Sequence, residues 1–270
     1  ELMQNPVILF RTLPDANEND LEVAKKYFEV LESRLQIQPG DLVIGRYSVL
    51  PFYKEQERDV LLANAKLINS YQQHYYIANL MEWYEDLKSF TPRSWNSLER
   101  IPIEGPFVLK GATNSRKHQW DTHMYAKDRR AAAEICVELQ NDSLIGSQDI
   151  IIREYIPLKT YMHGIHGLPI TKEFRFFVAF GQILSGGYYW SSHVEDLKEV
   201  PSASEVPRAF LQKVIDIIGD KANFYTIDVA QTETGDWIVI ELNDGQMAGL
   251  SENNPDELYG NLKKVIYNLT

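Results

Sequence analysis

Two runs, Phe224-Tyr225-Thr226-Ile227-Asp228-Val229-Ala230-Gln231 and Asp236-Trp237-Ile238-Val239-Ile240-Glu241-Leu242-Asn243-Asp244, flank Thr232-Glu233-Thr234-Gly235. β-branched and aromatic residues on either side of a glycine-bearing turn predict a β-hairpin. If Thr234-Gly235 is a two-residue turn, Glu233 faces Asp236, and counting outward sets Asp228 opposite Glu241. A longer turn with Gly235 in a bulge shifts the pairing by one. In the first register the two carboxylates lie ~5 Å apart at Cβ, and Asn243 points to the same face. Ile227, Val229, Ile238, Ile240 and Leu242 then form an apolar face that packs on a core. Facing carboxylates repel unless a cation lies between them, and hard oxygen ligands at this spacing suit magnesium. Acidic residues that blunt a sheet edge are the alternative.

Working outward, closely spaced strands precede the hairpin: Pro106–Ala112, Gln148–Ile156, Lys172–Phe180 and Gln182–Trp190, with a helix over Lys127–Gln140. A helix after Ser204 carries Pro207 in its first turn and Phe210, Val214 and Ile217 on one face, and Asp256–Leu269 closes the chain as a helix. This is an antiparallel α+β pattern. The first ninety residues read differently. Pro6–Phe10 and Asp41–Gly45 are apolar strand runs, and Leu21, Ala24, Phe28, Leu31 and Leu35 between them recur at helical spacing. Further helices are expected over Gln56–Leu67 and Asn79–Phe90. The expected class is therefore α/β plus α+β: an open α/β domain over residues 1–92, a boundary in Thr91–Ile103, and an antiparallel domain over 93–270 with a subdomain division near 157.

The chain has 270 residues, 44% of them hydrophobic, and a formal charge of -11. That charge argues against a nucleic-acid partner, since phosphate-backbone affinity comes from many Lys and Arg. No apolar run is long enough to span a membrane and no signal-like N-terminus is present, so the expected compartment is the cytoplasm. Glu1 and Leu2, ahead of Met3, carry no weight in the reading. A single cysteine, Cys136, excludes a disulfide within the chain and reads as a buried small hydrophobe.

Four segments, in order, give the chain a resemblance to the ATP-grasp superfamily, in particular to its compact bacterial and phage members. Pro106–Lys110 is a strand ending in a lysine, Ile151–Pro157 looks like an adenine-lining linker, Glu173–Phe177 carries a strand arginine, and the hairpin supplies Asp and Glu-x-Asn. The resemblance covers roughly residues 92–270. It implies an ATP-grasp fold preceded by an α/β domain that binds ATP with Mg2+, Mn2+ being a possible substitute. Asp228, Glu241 and Asn243 would hold the metal, Lys110 and Arg175 the phosphates, and Lys110, Arg175 and Asn243 the chemistry. Glu154 would accept from the adenine amine, and the Tyr155 and Ile156 backbone would meet the rest of its edge. The implied reaction is ADP-forming ligation of a carboxylate to an amine or thiol through an acyl phosphate. A phosphotransferase using the same site and a non-catalytic nucleotide-binding module are the alternatives. Neither a Walker A loop nor Gly-x-Gly-x-x-Gly occurs.

The chain departs from the family in two places. After Lys110 it reads Gly111-Ala112-Thr113-Asn114-Ser115-Arg116-Lys117 in place of a glycine-rich loop, so Ser115 and Lys117 are expected to contribute side chains. Gly245-Gln246 replaces a frequent proline-glycine turn and is a candidate for the acceptor side, with its backbone near the reacting carbon. A carboxylate substrate, metabolite or peptide, would meet Arg46 at a strand end, with Ser48, Asn69, Ser70 and His74 nearby. His163 and His166 read as loop residues, one of them a candidate to touch the ribose. Tyr75, Tyr76, Tyr188, Tyr189 and Trp190 read as packing residues. A homodimer is one option for the assembly.

Overall fold

Apolar runs with no polar alternation suit strands covered on both faces, and the N-terminal part of the chain is built from them. The computed structural model describes residues 5–11 and 18–269; Glu1, Leu2 and Met3 lie outside that range. β1 (Asn5–Leu9), β2 (Glu29–Leu31), β3 (Asp41–Gly45) and β4 (Lys66–Leu67) form a parallel sheet in the order β2-β1-β3-β4. α1 (Glu18–Tyr27) and α2 (Tyr53–Leu62) accompany it. The helix expected to reach Leu35 ends at Tyr27: Leu31 pairs with Leu9 in β2, and Leu35 is 94% exposed in a short turn capped by Ser33. Pairing along β1 outweighed the helical spacing. The helix expected over Gln56–Leu67 likewise stops at Leu62, and Lys66-Leu67 becomes β4. Two short helices follow, α3 (Tyr71–Ala78), with a capping box between Ser70 and Gln73, and α4 (Leu80–Leu87), capped by Asn79.

Next comes an antiparallel sheet of β5 (Ser94–Trp95), β6 (Phe107–Gly111), β7 (Tyr125–Ala126) and β8 (Ile150–Glu154), in the order β5-β8-β6-β7. α5 (Arg129–Gln140) covers it, burying Ala132, Ile135 and Leu139 on Phe107, Leu109 and Ile152, with Cys136 half-buried at the margin. A ribbon of β9 (Thr160–His163) and β10 (Pro169–Thr171) leads into the C-terminal sheet. That sheet consists of β11 (Glu173–Ala179), β12 (Gln182–Tyr188), β13 (Phe224–Gln231) and β14 (Trp237–Asp244), in the order β12-β11-β13-β14. α6 (Arg208–Ile218) and α7 (Pro255–Tyr267) complete the fold.

β11 shows how this sheet serves two cores and a site. Phe174, Phe176 and Val178 join a core with α4, α6, Ile227 and Val229. On the opposite face, Phe177 and Ala179 pack with Phe224, Tyr259 and Ile8 and Ile44 of the N-terminal sheet. Glu173 and Arg175 lie further along that second face, both buried. α6 turns a different stripe inward than expected: Leu211, Val214, Ile215 and Ile218 are buried, while Phe210 and Ile217 are half-covered.

The hairpin reaches the expected Asp228–Glu241 pairing by another route. The turn spans residues 232–236, with Gly235 at φ 96°, so Gln231 pairs with Trp237 and Val229 with Val239. That register is one residue off the two-residue-turn expectation. A bulge at Ile240 then restores it, setting Asp228 opposite Glu241. Between the turn and the bulge the facing is reversed. Val239 enters the core, as Leu242 does in keeping with the expectation, whereas Ile238 and Ile240, expected there, line a cavity with Glu241.

Candidate active site

The cavity lies between the two antiparallel sheets. Its walls are Val108 of β6, Trp120 and Met124 of the β6–β7 connection, Ile156, Leu168, Ile238 and Ile240; its polar end holds Lys110, Ser115, Lys117, Glu173 and Glu241. A second, more polar cavity adjoins it. Ser48, Leu50 and Ala78 line it from the N-terminal part of the chain, and Asn114, Arg175, Tyr189, Asn243, Asp244 and Gly249 line it from the C-terminal part. Ser115 and Glu241 border both cavities.

At the polar end, Lys110 of β6 forms a buried ion pair with Glu241 of β14. Burial pushes the Lys110 ammonium below its ordinary value against the pull of Glu241. For Glu241 the charges of Lys110, Lys117 and Arg175 outweigh burial, and its carboxyl falls below the usual range. Arg175 donates from Nε and Nη2 to the two oxygens of Asp228, at 2.8 and 2.7 Å. Asp228 is fully buried and borders neither cavity, so the guanidinium stands between it and the space that Glu241 and Asn243 reach. Lys117 donates to the Tyr189 hydroxyl at 2.7 Å and lies 3.9 Å from Glu173. Among the described residues, the Oε1 atom of Glu173 is buried without a hydrogen-bond partner, and burial raises its carboxyl above the usual range.

At the other end, Arg93 grips both oxygens of Glu154, at 2.8 and 2.9 Å. The Tyr155 N–H donates to Pro106 O at 2.9 Å, so Tyr155 has no amide left for a ligand's edge. Among the described residues, the Ile156 N–H has no protein acceptor and lies at the cavity wall. Arg153, within the Ile151–Pro157 segment but given no role from sequence, donates to Ile240 O at 2.6 Å and to the hydroxyls of Thr91 and Ser94. It thereby occupies the carbonyl of the bulge residue, and burial pushes its guanidinium down to about 10.

The model of an ATP-grasp domain, family 3 of its clade, matches residues 97–262, more than half of the chain. The chain belongs to this ATP-grasp family. A RiPP-associated ATP-grasp ligase of Chryseobacterium gregarium, in complex with ADP and a leader and core peptide, is similar at TM-score 0.60 and 12% identity, with 99% of this chain and 98% of that chain covered. A RimK domain ATP-grasp protein from Sphaerobacter thermophilus DSM 20745 gives 0.56 and 14%, covering 97% and 99%. A D-cycloserine synthetase gives 0.58 and 13%, covering 97% and 100%. Likeness at these identities is likeness of fold. No protein of curated function matches the sequence.

Several residues expected at the acceptor side of this ATP-grasp chain act instead as braces. Arg46 is buried, donating to Tyr259 Oη (3.0 Å), Gly245 O (2.6 Å), Ala248 O (3.0 Å) and Asp20 (2.9 Å), which leaves little for a substrate carboxylate. Asn69 clamps β13 through Phe224 O and the amides of Asn223 and Phe224. Gln246 is buried against Gly45, Tyr53 and Asp244. Gly245 sits on the Phe224 ring, where a Cβ would come within 2.9 Å. Ser70 caps α3, and His74 pairs through Nδ1 with Asp244 at 3.0 Å while stacking on Tyr53 at 3.9 Å. Of the expected set, Ser48 alone opens on the second cavity. His163 is exposed on β9 and borders neither cavity; its ribbon contributes Thr160, Leu168 and Pro169 instead. Tyr189, expected as packing, and Asp244, given no role, both border the second cavity.

Proposed function

We propose that this protein is an ADP-forming ligase that uses ATP to activate a carboxylate as an acyl phosphate and joins it to an amine or thiol. The observation that carries the reading is an apolar slot ending in Lys110, Lys117 and Glu241 and opening into a second cavity with Arg175 and Asn243. The residues present fit magnesium-ATP. Val108, Met124, Leu168 and Ile240 suit an adenine ring, and the free Ile156 amide suits its edge. Glu241 and Asn243 offer hard oxygens for Mg2+ or Mn2+, and Asp228 becomes a third ligand if Arg175 turns toward phosphate. Bound there, magnesium-ATP supplies the phosphoryl group and the leaving ADP. Lys110 and Arg175 stabilise charge on the transferring oxygens, and the apolar walls keep water away. Residues 1–92 act as the substrate side, a role supported by Ser48, Leu50 and Ala78 at the second cavity.

The test is ADP release over a panel of carboxylates and amines with magnesium, with hydroxylamine added to trap an acyl phosphate. ADP and a hydroxamate are expected, and release of AMP with pyrophosphate would overturn the mechanism. As a control, Glu241→Gln is expected to abolish turnover with the fold retained by circular dichroism. Unchanged activity would remove Glu241 from the site.

A further inference from the structure

We propose that Tyr189 is a positioning residue that joins Lys117 and Arg175 into a two-cation clamp for the polyphosphate of the nucleotide. This inference rests on the ATP-binding reading above and adds to it the element that gathers two cations beside the cavities, Arg175 being held in this structure by Asp228 and Gly249 O. Lys117 Nζ donates to the Tyr189 hydroxyl at 2.7 Å and lies 4.0 Å from the ring centroid, and the Arg175 guanidinium carbon lies 5.0 Å from the same centroid. The two cations come from different elements, the β6–β7 connection and β11. Like charges brought to one place repel; the negative face of an aromatic ring offsets that repulsion and fixes their directions. Tyr189 is itself anchored, its N–H donating to Glu173 O at 2.9 Å. Lys117 borders the first cavity, whereas Arg175 and Tyr189 border the second, so the clamp stands where the two meet.

The β6–β7 connection needs such a device. A phosphate cradle of backbone amides requires close backbone approach, which glycines allow. Between Lys110 and Lys117 the sole glycine is Gly111, and a Cβ there would meet Gln148 at 2.5 Å, so it serves packing. The Thr113 amide is spent on Gln148 Oε1 at 3.1 Å, and Gln148 also holds Asn114. Of the two side chains of this connection that border both the slot and its polar end, Ser115 and Lys117, only Lys117 carries a positive charge, on a long flexible stem that Tyr189 directs. Burial raises the phenol above its ordinary value, which keeps it neutral and able to accept from the ammonium.

The experiment measures binding of the non-hydrolysable analogue AMPPNP with magnesium by calorimetry, and of AMP by competition. It compares the parent, Tyr189→Leu, Tyr189→Phe, Lys117→Met and the Tyr189→Leu/Lys117→Met double variant. Tyr189→Leu is expected to weaken AMPPNP about tenfold and leave AMP unchanged; Tyr189→Phe, which keeps the ring, is expected to weaken it about threefold. The double variant is expected to lose less than the product of the single losses, because Tyr189 acts partly through Lys117. AMPPNP binding unchanged in Tyr189→Leu, equal losses for AMP and AMPPNP, or fully multiplicative losses would each overturn the clamp. If Tyr189→Leu fails to fold, Tyr189→Phe decides alone, and parental AMPPNP binding in it overturns the clamp. A parent that binds neither nucleotide refutes the ATP-binding reading instead.

Discussion

Replacing Arg46 by methionine separates a brace from a substrate ligand. The guanidinium and its partner Asp20 have side-chain exposures of 4% and 10%. Methionine keeps much of the stem's volume but takes away the charged partner of Asp20, leaving that carboxylate only the Tyr259 hydroxyl, and removes the donor shared by Gly245 O and Ala248 O. Removing one member of a buried pair costs about 3–5 kcal/mol, because the remaining charge stays desolvated. At about 2 °C per kcal/mol for a chain of this length, the expected fall in Tm is about 6–10 °C. Asp20→Asn/Arg46→Met should recover part of that loss, since the orphaned charge is gone. Thermal and urea unfolding followed by circular dichroism provide the measurement. A substrate ligand, by contrast, is replaceable at little cost to stability. An Arg46→Met protein within about 1 kcal/mol of the parent would refute the brace.

Two further perturbations test neighbouring parts of the site. A Cβ at Gly187 would stand 2.3 Å from the Glu252 carbonyl carbon and 2.4 Å from Asn253 N, so Gly187→Ala must push that segment away. The segment is tied to β11 through Asn253 and Arg175 O at 3.1 Å; a loss of about 1–3 kcal/mol in urea unfolding is expected, and parental stability would contradict the close contact. Glu173 concerns pH. Its folded carboxyl titrates above the ordinary value of 4.5, so its contribution to stability is fully present below that value and is lost as pH rises through the folded one. The urea midpoint of Glu173→Gln relative to the parent should therefore climb as pH rises above that ordinary value. A constant difference across that rise would show that Glu173 is not desolvated.

Local pattern carried much of the architecture. Alternation in Glu173–Ala179 and the apolar runs of β1 and β3 imply strands because one or both faces must leave water. Spacing misled at Leu31 and Leu35: Leu31 fits a helical period and a short parallel strand alike, and pairing with β1 decided between them, which left Leu35 in an exposed turn. Polar residues at element ends were the least legible. Arg46, Asn69 and Gln246 look like ligands in sequence because each is a hydrogen-bonding group beside a strand end or turn; their side-chain partners lie more than 150 positions away, apart from Asp20 for Arg46 and Asp244 for Gln246.

By itself, the sequence determined that a β-hairpin would carry Asp228, Glu241 and Asn243, and that Lys110, Glu154 and Arg175 would precede it on strands in the order of the family. Residue type and periodicity are local properties and survive in one dimension. Tertiary structure decided the rest: that a bulge at Ile240 restores the register and turns Ile238 and Ile240 toward the cavity, that Arg175 covers Asp228, and that Tyr189 gathers Lys117 with Arg175. In the hairpin a one-residue shift reverses a face, and between elements distant in sequence desolvation forces buried charges to find partners.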